Sequence, residues 1–403
     1  MKAIIVVFLL LMVQDIFGQD CATTARNKSE PITRSADEFT NFNNKKPASW
    51  DITKMKPYQD NTESWIRNLL TGFTGAKVGY TNEYNLDVVN GGSYVADLYK
   101  ATGIKGYSRS TTRFWAYYCS GNSNTVYTEG EAGSFIYVTV NNFFHAELTS
   151  EVGIHTVNGK AVFRILEKSH SEGMVDFYDM RKRMDFSDTV YTSKRDIIII
   201  RNSNKPLFIP ITRKEYLEQL LKNAEASRKQ QKELMTGIYN NSAKSFEAEM
   251  KAFKQDKSYT PDKEAKRRKW FAEDQAKQET LIKQIDGDVD ASIDVLTQYM
   301  QKPTDWLNQH VGSFFTLSHF SARGMEYYLK HLDIFSESRE DYTRSEIVYL
   351  NPEYFNKSIS SDVPQLIMVE VVKNSYPCMY KVSEKVKRPG ELAALVGMVS
   401  TGK

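Results

Sequence analysis

The chain has 403 residues, enough for two or three domains, and its 41% hydrophobic and 12% aromatic content excludes wholesale disorder. Its 53 lysine and arginine residues nearly balance 50 aspartate and glutamate residues. The formal net charge of +3 therefore gives no global reason to expect a nucleic-acid partner. Three cysteines are too few for a disulfide scaffold, so the hydrophobic core must carry the fold.

The first eighteen residues have the layout of a secretory signal peptide. Lys2 provides a positive charge, residues 3–13 form a short apolar core, and Gly18 is a small residue at the expected cleavage point. An uncleaved membrane anchor is the alternative, but Gln14 interrupts the apolar run before it is long enough to span a bilayer. We therefore expect a secreted or periplasmic protein without an integral membrane span after cleavage of residues 1–18.

Three cysteines would remain after cleavage: Cys21, Cys119 and Cys378. In an oxidising compartment two of them can form a disulfide while the third stays a thiol, and the sequence does not select the pair. Asp20 stands before Cys21, where a bacterial lipoprotein signal has a small residue, so Cys21 is interpreted as an ordinary cysteine.

Residues 19–60 are mostly polar and are predicted to form an N-terminal tail or linker. A β-rich domain is predicted over residues 61–211. It opens with a short helix that Asn61 or Thr62 caps and Gly72 ends, and it continues as short strands separated by glycines.

The clearest strands of this β-rich domain are predicted at residues 114–118 and 135–140, which are aromatic and β-branched. The dipeptide Asn158-Gly159 fits the two left-handed positions of a type I′ turn and predicts a hairpin around it. Many short strands with glycine-rich turns favour a sandwich, a barrel or a curled antiparallel sheet.

The β-rich part gives way to helix within residues 196–233. Four consecutive isoleucines at 197–200 predict a strand buried on both faces, and the Asn-Ser-Asn segment at 202–204 predicts a reversal before a second strand. Thr212 followed by Glu215 has the spacing of a capping box, which starts a helix. A single continuous α+β domain without a boundary at this point is the alternative.

Residues 212–301 are predicted to form a charged helical segment, because Lys, Glu, Gln and Ala dominate there. Apolar residues recur at steps of four and three along its first half: Tyr239, Ala243, Phe246, Met250 and Phe253. Thr260 before Pro261 predicts the start of a second helix, and Gly287 is expected to break that helix in two. The pattern indicates a helical hairpin or long arm.

The remaining residues, 302–403, are predicted to be a mixed α/β region with a strand at 366–372. The fold class predicted for the whole chain is therefore α+β and multi-domain. Its parts are an antiparallel β-rich N-terminal domain, a charged α-helical middle segment and a mixed α/β C-terminal part.

A zinc site is one chemical hypothesis for the β-rich domain. His145, His155 and His170 lie within it and would supply three imidazoles if neighbouring strands aligned them. Their irregular spacing, in a sequence without an HExxH or CxxC pair, favours ordinary histidines instead. No cofactor is predicted.

Hydrolase chemistry is a second hypothesis. Cys119 and His155 are the residue types of a cysteine hydrolase, and Asp176 is a candidate catalytic acid. The alternatives are a buried or disulfide-bonded cysteine and an acid that serves a turn. The sequence contains no GxSxG, SxxK or Walker A motif, and whether the protein is an enzyme stays open.

Two surface features bear on partners. The basic run 266–269 precedes Trp270 and is interpreted as the solvated face of a helix, with a polyanionic envelope polymer as the alternative partner. The chain also has 23 tyrosines and 21 phenylalanines, which either fill a β core or stack on sugars and peptides.

Strong export and fold signals without an assembled catalytic motif favour a soluble binding or structural protein of the cell envelope or extracellular space. Its partner is expected to be a protein or polysaccharide. One alternative is a secreted hydrolase with its site in the β-rich domain. Another is a protein-interaction arm that uses the face of Phe246, Met250 and Phe253.

Overall fold

The computed structural model describes most of the chain. The residues that it describes are 21–41, 52–86, 94–120, 125–143, 149–166, 168–179, 182–184, 190–192, 195–311, 345–359, 362–374, 376–388 and 390–400. The predicted signal peptide and His145 lie outside these ranges.

Seven helices are named here in chain order, and residues 21–27 are helical as well. The helices are α1 (Ile52–Leu69), α2 (Tyr94–Thr102), α3 (Arg213–Phe253), α4 (Pro261–Met300), α5 (Thr304–Leu307), α6 (Pro377–Val386) and α7 (Ala393–Ser400). The strands are β1 (Thr33–Arg34), β2 (Glu38–Asn41), β3 (Ala76–Leu86), β4 (Gly106–Cys119), β5 (Val126–Thr128), β6 (Ser134–Val140), β7 (Thr149–Val157), β8 (Lys160–Leu166), β9 (His170–Glu172), β10 (Val175–Asp179), β11 (Lys182–Met184), β12 (Val190–Thr192), β13 (Arg195–Arg201), β14 (Phe208–Pro210), β15 (Ser345–Leu350) and β16 (Leu366–Val372). The broad prediction of an α+β protein is confirmed.

One large sheet of ten strands organises the molecule. Its main path is β1-β3-β4-β6-β16-β13-β10-β9, and β2 and β5 pair with β3 and β4. The pairs are antiparallel except that β1 and β2 run parallel to β3. The predicted strand at 366–372 is confirmed as β16, which lies between β6 and β13 with all seven residues buried. A strand from late in the chain therefore completes the centre of the sheet.

The two faces of the large sheet pack against different layers. Ile198 points towards α1, α6 and α7, whereas its neighbour Ile199 points towards a second sheet of order β14-β15-β8-β7. The opposite face of the second sheet packs on the base of α3 and α4, where Tyr216 and Leu296 are fully buried. The prediction that residues 197–200 are buried on both faces is confirmed. The described layers are helices, sheet, sheet and helices.

Local signals gave the right turns but not the right partners. Asn158 and Gly159 have φ of 50° and 74° and join β7 to β8, so the predicted hairpin is confirmed. The strand after the Asn-Ser-Asn segment, β14, pairs with β15 of the second sheet and not with β13. The first long helix begins at Ile52, ahead of the predicted caps, and residues 33–34 and 38–41 of the predicted tail pair with β3.

The charged middle segment is a hairpin of two long helices, α3 and α4, of 41 and 40 residues. At 1.5 Å per residue each is about 60 Å long. The predicted capping box of Thr212 and Glu215 and the cap at Thr260 before Pro261 are confirmed. The expected break at Gly287 was wrong, because α4 runs through it without interruption. Among the described helices none is both long and apolar enough to cross a membrane.

Candidate ligand site on the large sheet

Cys119, the candidate nucleophile, forms a disulfide with Cys21, and Cys378 is left as the free thiol. The disulfide ties the helical residues 21–27 to the end of β4. A sulfur in a disulfide is not a thiolate, so the structure gives Cys119 a linking position and not that of a free nucleophile.

Asp176, the candidate acid, is a buried residue of β10 whose carboxylate is already engaged. Arg201 Nε lies 3.0 Å from Asp176 Oδ2, and the Ser171 hydroxyl donates to Oδ1 at 2.6 Å. Lys168 Nζ adds a longer contact of 3.4 Å. This arrangement is that of a structural ion pair near the edge of the sheet.

The structure does not bring the candidate residues together in the part that it describes. Cys119 lies on β4 and Asp176 on β10, with β6, β16 and β13 between them. His170 is exposed and stacks on Phe177 at 4.4 Å between ring centroids, while the side chain of His155 lies outside the described part. The described residues contain no group of three His, Cys, Asp or Glu that could hold a metal ion.

A different set of polar and aromatic side chains shares one face of the large sheet. Residues directly opposite in a sheet point to the same side. The register pairs Glu83 with Arg109, Thr111 with Tyr137, and Arg113 with Phe135. These residues lie on β3, β4 and β6, on the face that the second sheet covers farther along. We call this group of side chains, together with Thr81 and Trp115, the sheet-face site.

Buried polar groups hold the arginines of the sheet-face site in place. Arg109 donates to Glu83 through Nε, 3.0 Å from Oε2, and through Nη2. Arg113 Nη1 donates to the hydroxyl of Thr81 at 2.9 Å, and Thr111 donates to Glu83 Oε1 at 2.7 Å. Both threonines are at most 1% exposed. Thr81 holds Arg113 directly, and Thr111 holds Glu83, which in turn binds Arg109. Both guanidinium groups are therefore held in fixed orientations by groups of the sheet.

Three aromatic rings lie beside these arginines. Phe135 and Tyr137 stack with ring centroids 5.4 Å apart, and the Arg109 guanidinium stands 5.2 Å from the Tyr137 centroid. The Trp115 indole crosses the neighbouring strand at Gly79, where a Cβ would come within 2.9 Å of the ring. All three rings are half-buried, so part of each ring reaches solvent.

The charge of the sheet-face site is net positive. Burial alone would lower the pKa of Arg109, but its hydrogen bond to Glu83 and the charge of that carboxylate raise the pKa, so Arg109 stays cationic. Burial, with the charge of Glu370, raises the pKa of Tyr137, whose hydroxyl stays neutral. One carboxylate, Glu83, faces two guanidinium groups, those of Arg109 and Arg113.

Hydrogen-bond donors remain for a ligand. Arg109 Nη1 and Arg113 Nε donate to no described residue, and the two side chains are 42% and 30% exposed. Guanidinium groups bind carboxylates and sulfates through paired N–H bonds. The site therefore places guanidinium donors beside partly exposed aromatic rings.

A sequence signal for this site exists but was missed. Along β4, alternate residues are Tyr107, Arg109, Thr111, Arg113 and Trp115. The residues that alternate with them on β4 point to the other face of the sheet and include Phe114, which is fully buried. An alternation of charged and aromatic residues on one face marks a sheet surface that no core covers.

Comparisons with protein-family models, curated proteins and solved structures gave no match.

Proposed function

We propose that this protein is an exported binding protein that holds an acidic carbohydrate on the sheet-face site. The observation that carries the proposal is the fixed pair Arg109 and Arg113 beside the partly exposed rings of Trp115, Phe135 and Tyr137. The apolar C–H faces of sugar rings pack on aromatic rings, and the acidic group of the sugar would pair with a guanidinium.

Export is supported by the signal-like first eighteen residues and by the disulfide Cys21–Cys119. Disulfides persist in oxidising compartments and are rare in the cytosol. The hydrolase alternative has no specific observation in its favour, since Cys119 is in the disulfide and Asp176 is paired with Arg201.

The test measures binding of a uronic-acid oligosaccharide, such as an oligogalacturonate, with a neutral galactan oligosaccharide as the comparison ligand. Wild-type protein is expected to bind the uronate and not the neutral sugar. Arg113→Ala is expected to weaken binding about tenfold to a hundredfold, because a hydrogen bond to a charged group contributes about 1.5–3 kcal/mol.

The matched control is Arg67→Ala. Arg67 is a similarly exposed arginine that also pairs with a glutamate, Glu63, but it lies on α1 behind the other face of the sheet. Equal binding of both sugars, or equal weakening by Arg67→Ala and Arg113→Ala, would contradict the proposal. Release of reducing ends from the uronate would instead support the hydrolase.

A further inference from the structure

The far end of the helical hairpin, residues 244–271, has an apolar cluster of its own, and we call this segment the hairpin tip. Phe246 of α3 stacks on Phe271 of α4 with centroids 4.0 Å apart and planes 3° apart. Met250 and Phe253 are buried in the same cluster, which Tyr259 closes. Phe246, Met250 and Phe253 are therefore buried inside the hairpin. The hypothesis of a protein-interaction arm requires this face to be exposed to a partner.

Most acidic groups of the hairpin tip are paired internally. Glu247 Oε1 lies 3.0 Å from Arg268, and Glu249 Oε1 lies 2.9 Å from Arg267. A hydrogen bond from Tyr259, followed by one from Arg268, lowers the pKa of Glu264 to about 2. Glu264 is therefore ionised, and all three carboxylates already have basic partners.

The basic groups of the hairpin tip outnumber these acids. Six exposed lysines have no acidic partner among the described residues: Lys244, Lys251, Lys257, Lys263, Lys266 and Lys269. Two further acids, Asp256 and Asp262, do not balance them. The excess positive charge lies at the end of helices about 60 Å long, far from their buried base.

Trp270 lies among these lysines and is 65% exposed. Lys266 lies four residues before Trp270 and three before Lys269, so its side chain neighbours both of them on the helix surface. The next residue, Phe271, turns inward to the apolar cluster. The indole is therefore the one large apolar side chain that the described part of the tip presents to solvent.

We propose that the hairpin tip docks on an anionic membrane surface. Lysines near such a surface are attracted by its negative potential, and tryptophan is enriched at the level of lipid headgroups. A soluble polyanion would use the same lysines, and its binding is the competing outcome of the experiment below. Contact is peripheral, with the tip lying on the surface and the sheets held away from it by the length of the hairpin.

The experiment is vesicle co-sedimentation with the full chain. Vesicles of phosphatidylcholine alone are compared with vesicles that also contain phosphatidylglycerol. Wild-type protein is expected to sediment with the anionic vesicles only, and less as salt rises from ~0.05 to ~0.5 M and screens the charges. Its tryptophan emission is expected to shift to shorter wavelength on binding, and Trp270→Phe to lose that shift.

The double variant Lys266→Glu with Lys269→Glu is expected to bind anionic vesicles at least about tenfold more weakly, since it reverses two charges at the contact. The control, Lys222→Glu with Lys277→Glu, makes the same change of charge at exposed positions of α3 and α4 that lie nearer the base of the hairpin. All four lysines are solvent-exposed, so far-UV circular dichroism should be unchanged in both variants. Equal binding by the two double variants would overturn the proposal. So would binding of wild-type protein to heparin but not to vesicles, which would make a polyanion the partner.

Discussion

Asp196, at the start of β13, lies at the centre of a buried cluster of charged groups. It is 2% exposed, and its carboxylate contacts Lys373 Nζ at 2.9 Å, Lys387 Nζ at 3.0 Å and the Ser383 hydroxyl. Breaking a buried pair leaves an uncompensated charge and costs about 3–5 kcal/mol. Asp196→Asn is therefore expected to lower the free energy of unfolding by that order, measured in urea. A decrease of less than about 1 kcal/mol in the free energy of unfolding would contradict this prediction. It would mean that the ammonium group of Lys373 is solvated by other groups when the carboxylate is absent.

The same residue predicts a pH dependence. Burial alone would raise the pKa of Asp196, but hydrogen bonds from Ser383 and Lys373 and the charges of both lysines outweigh burial and lower it. A lowered folded-state pKa stabilises the fold above the unfolded value of about 3.9, and this stability is lost as pH falls through the folded value. Between about pH 5 and pH 3, wild-type protein should therefore lose more stability than Asp196→Asn. Equal losses of stability in the two proteins over this pH range would contradict the prediction.

The disulfide predicts both a thiol count and a stability change. Cys21 and Cys119 are 98 residues apart, and removal of such a link is expected to cost about 2–5 kcal/mol. Cys119→Ser should therefore lower the melting temperature, whereas Cys378→Ser, at a half-buried free thiol, should change it little. Thiol titration of unfolded, unreduced protein should detect Cys378 alone. Detection of all three thiols would show that the pair is not formed.

At the scale of elements, two glycines predict opposite responses to the same substitution. Gly287 lies inside α4, where an added methyl group would meet no other atom within 4 Å, so Gly287→Ala should stabilise the hairpin by about 0.5–1 kcal/mol. Gly79→Ala should destabilise the protein, because the new methyl group meets the Trp115 ring within 2.9 Å. The urea concentration at the midpoint of unfolding measures both changes in stability. Binding of the uronic-acid oligosaccharide should weaken for Gly79→Ala and not for Gly287→Ala. Stabilisation by both substitutions would show that the indole moves freely.

Elements with a local cause could be predicted from the sequence. The Asn158-Gly159 turn and the Thr212 cap each depend on residues within four positions. The insertion of β16 between β6 and β13 joins residues more than 160 positions apart, and hydrophobic alternation carries no record of such a partner. For the sheet-face site, the alternation along β4 indicates an uncovered face, but it does not identify the residues of the neighbouring strands that share this face. Glu83 and Arg109 become neighbours only once the register of β3 and β4 is known.

At the scale of the whole molecule, the sheet and the distal hairpin have separate cores. Phe246 and its cluster at the tip share no residue with the clusters around the two sheets, whereas β16 is buried in the centre of the large sheet. Replacing residues 229–289 with a short turn should therefore leave a cooperatively folding protein, because the base of α3 and α4 stays packed on the second sheet.

A chain that ends at Gln301 should fail to fold, although it keeps the whole hairpin. It lacks β15 and β16, so β6 and β13 lose the strand between them, and the apolar faces of the remaining strands lose α6 and α7. Near-UV circular dichroism and urea unfolding distinguish the two shortened chains. A cooperative transition in the chain that ends at Gln301, or its loss in the chain without residues 229–289, would mean that the hairpin and not the large sheet holds the molecule together.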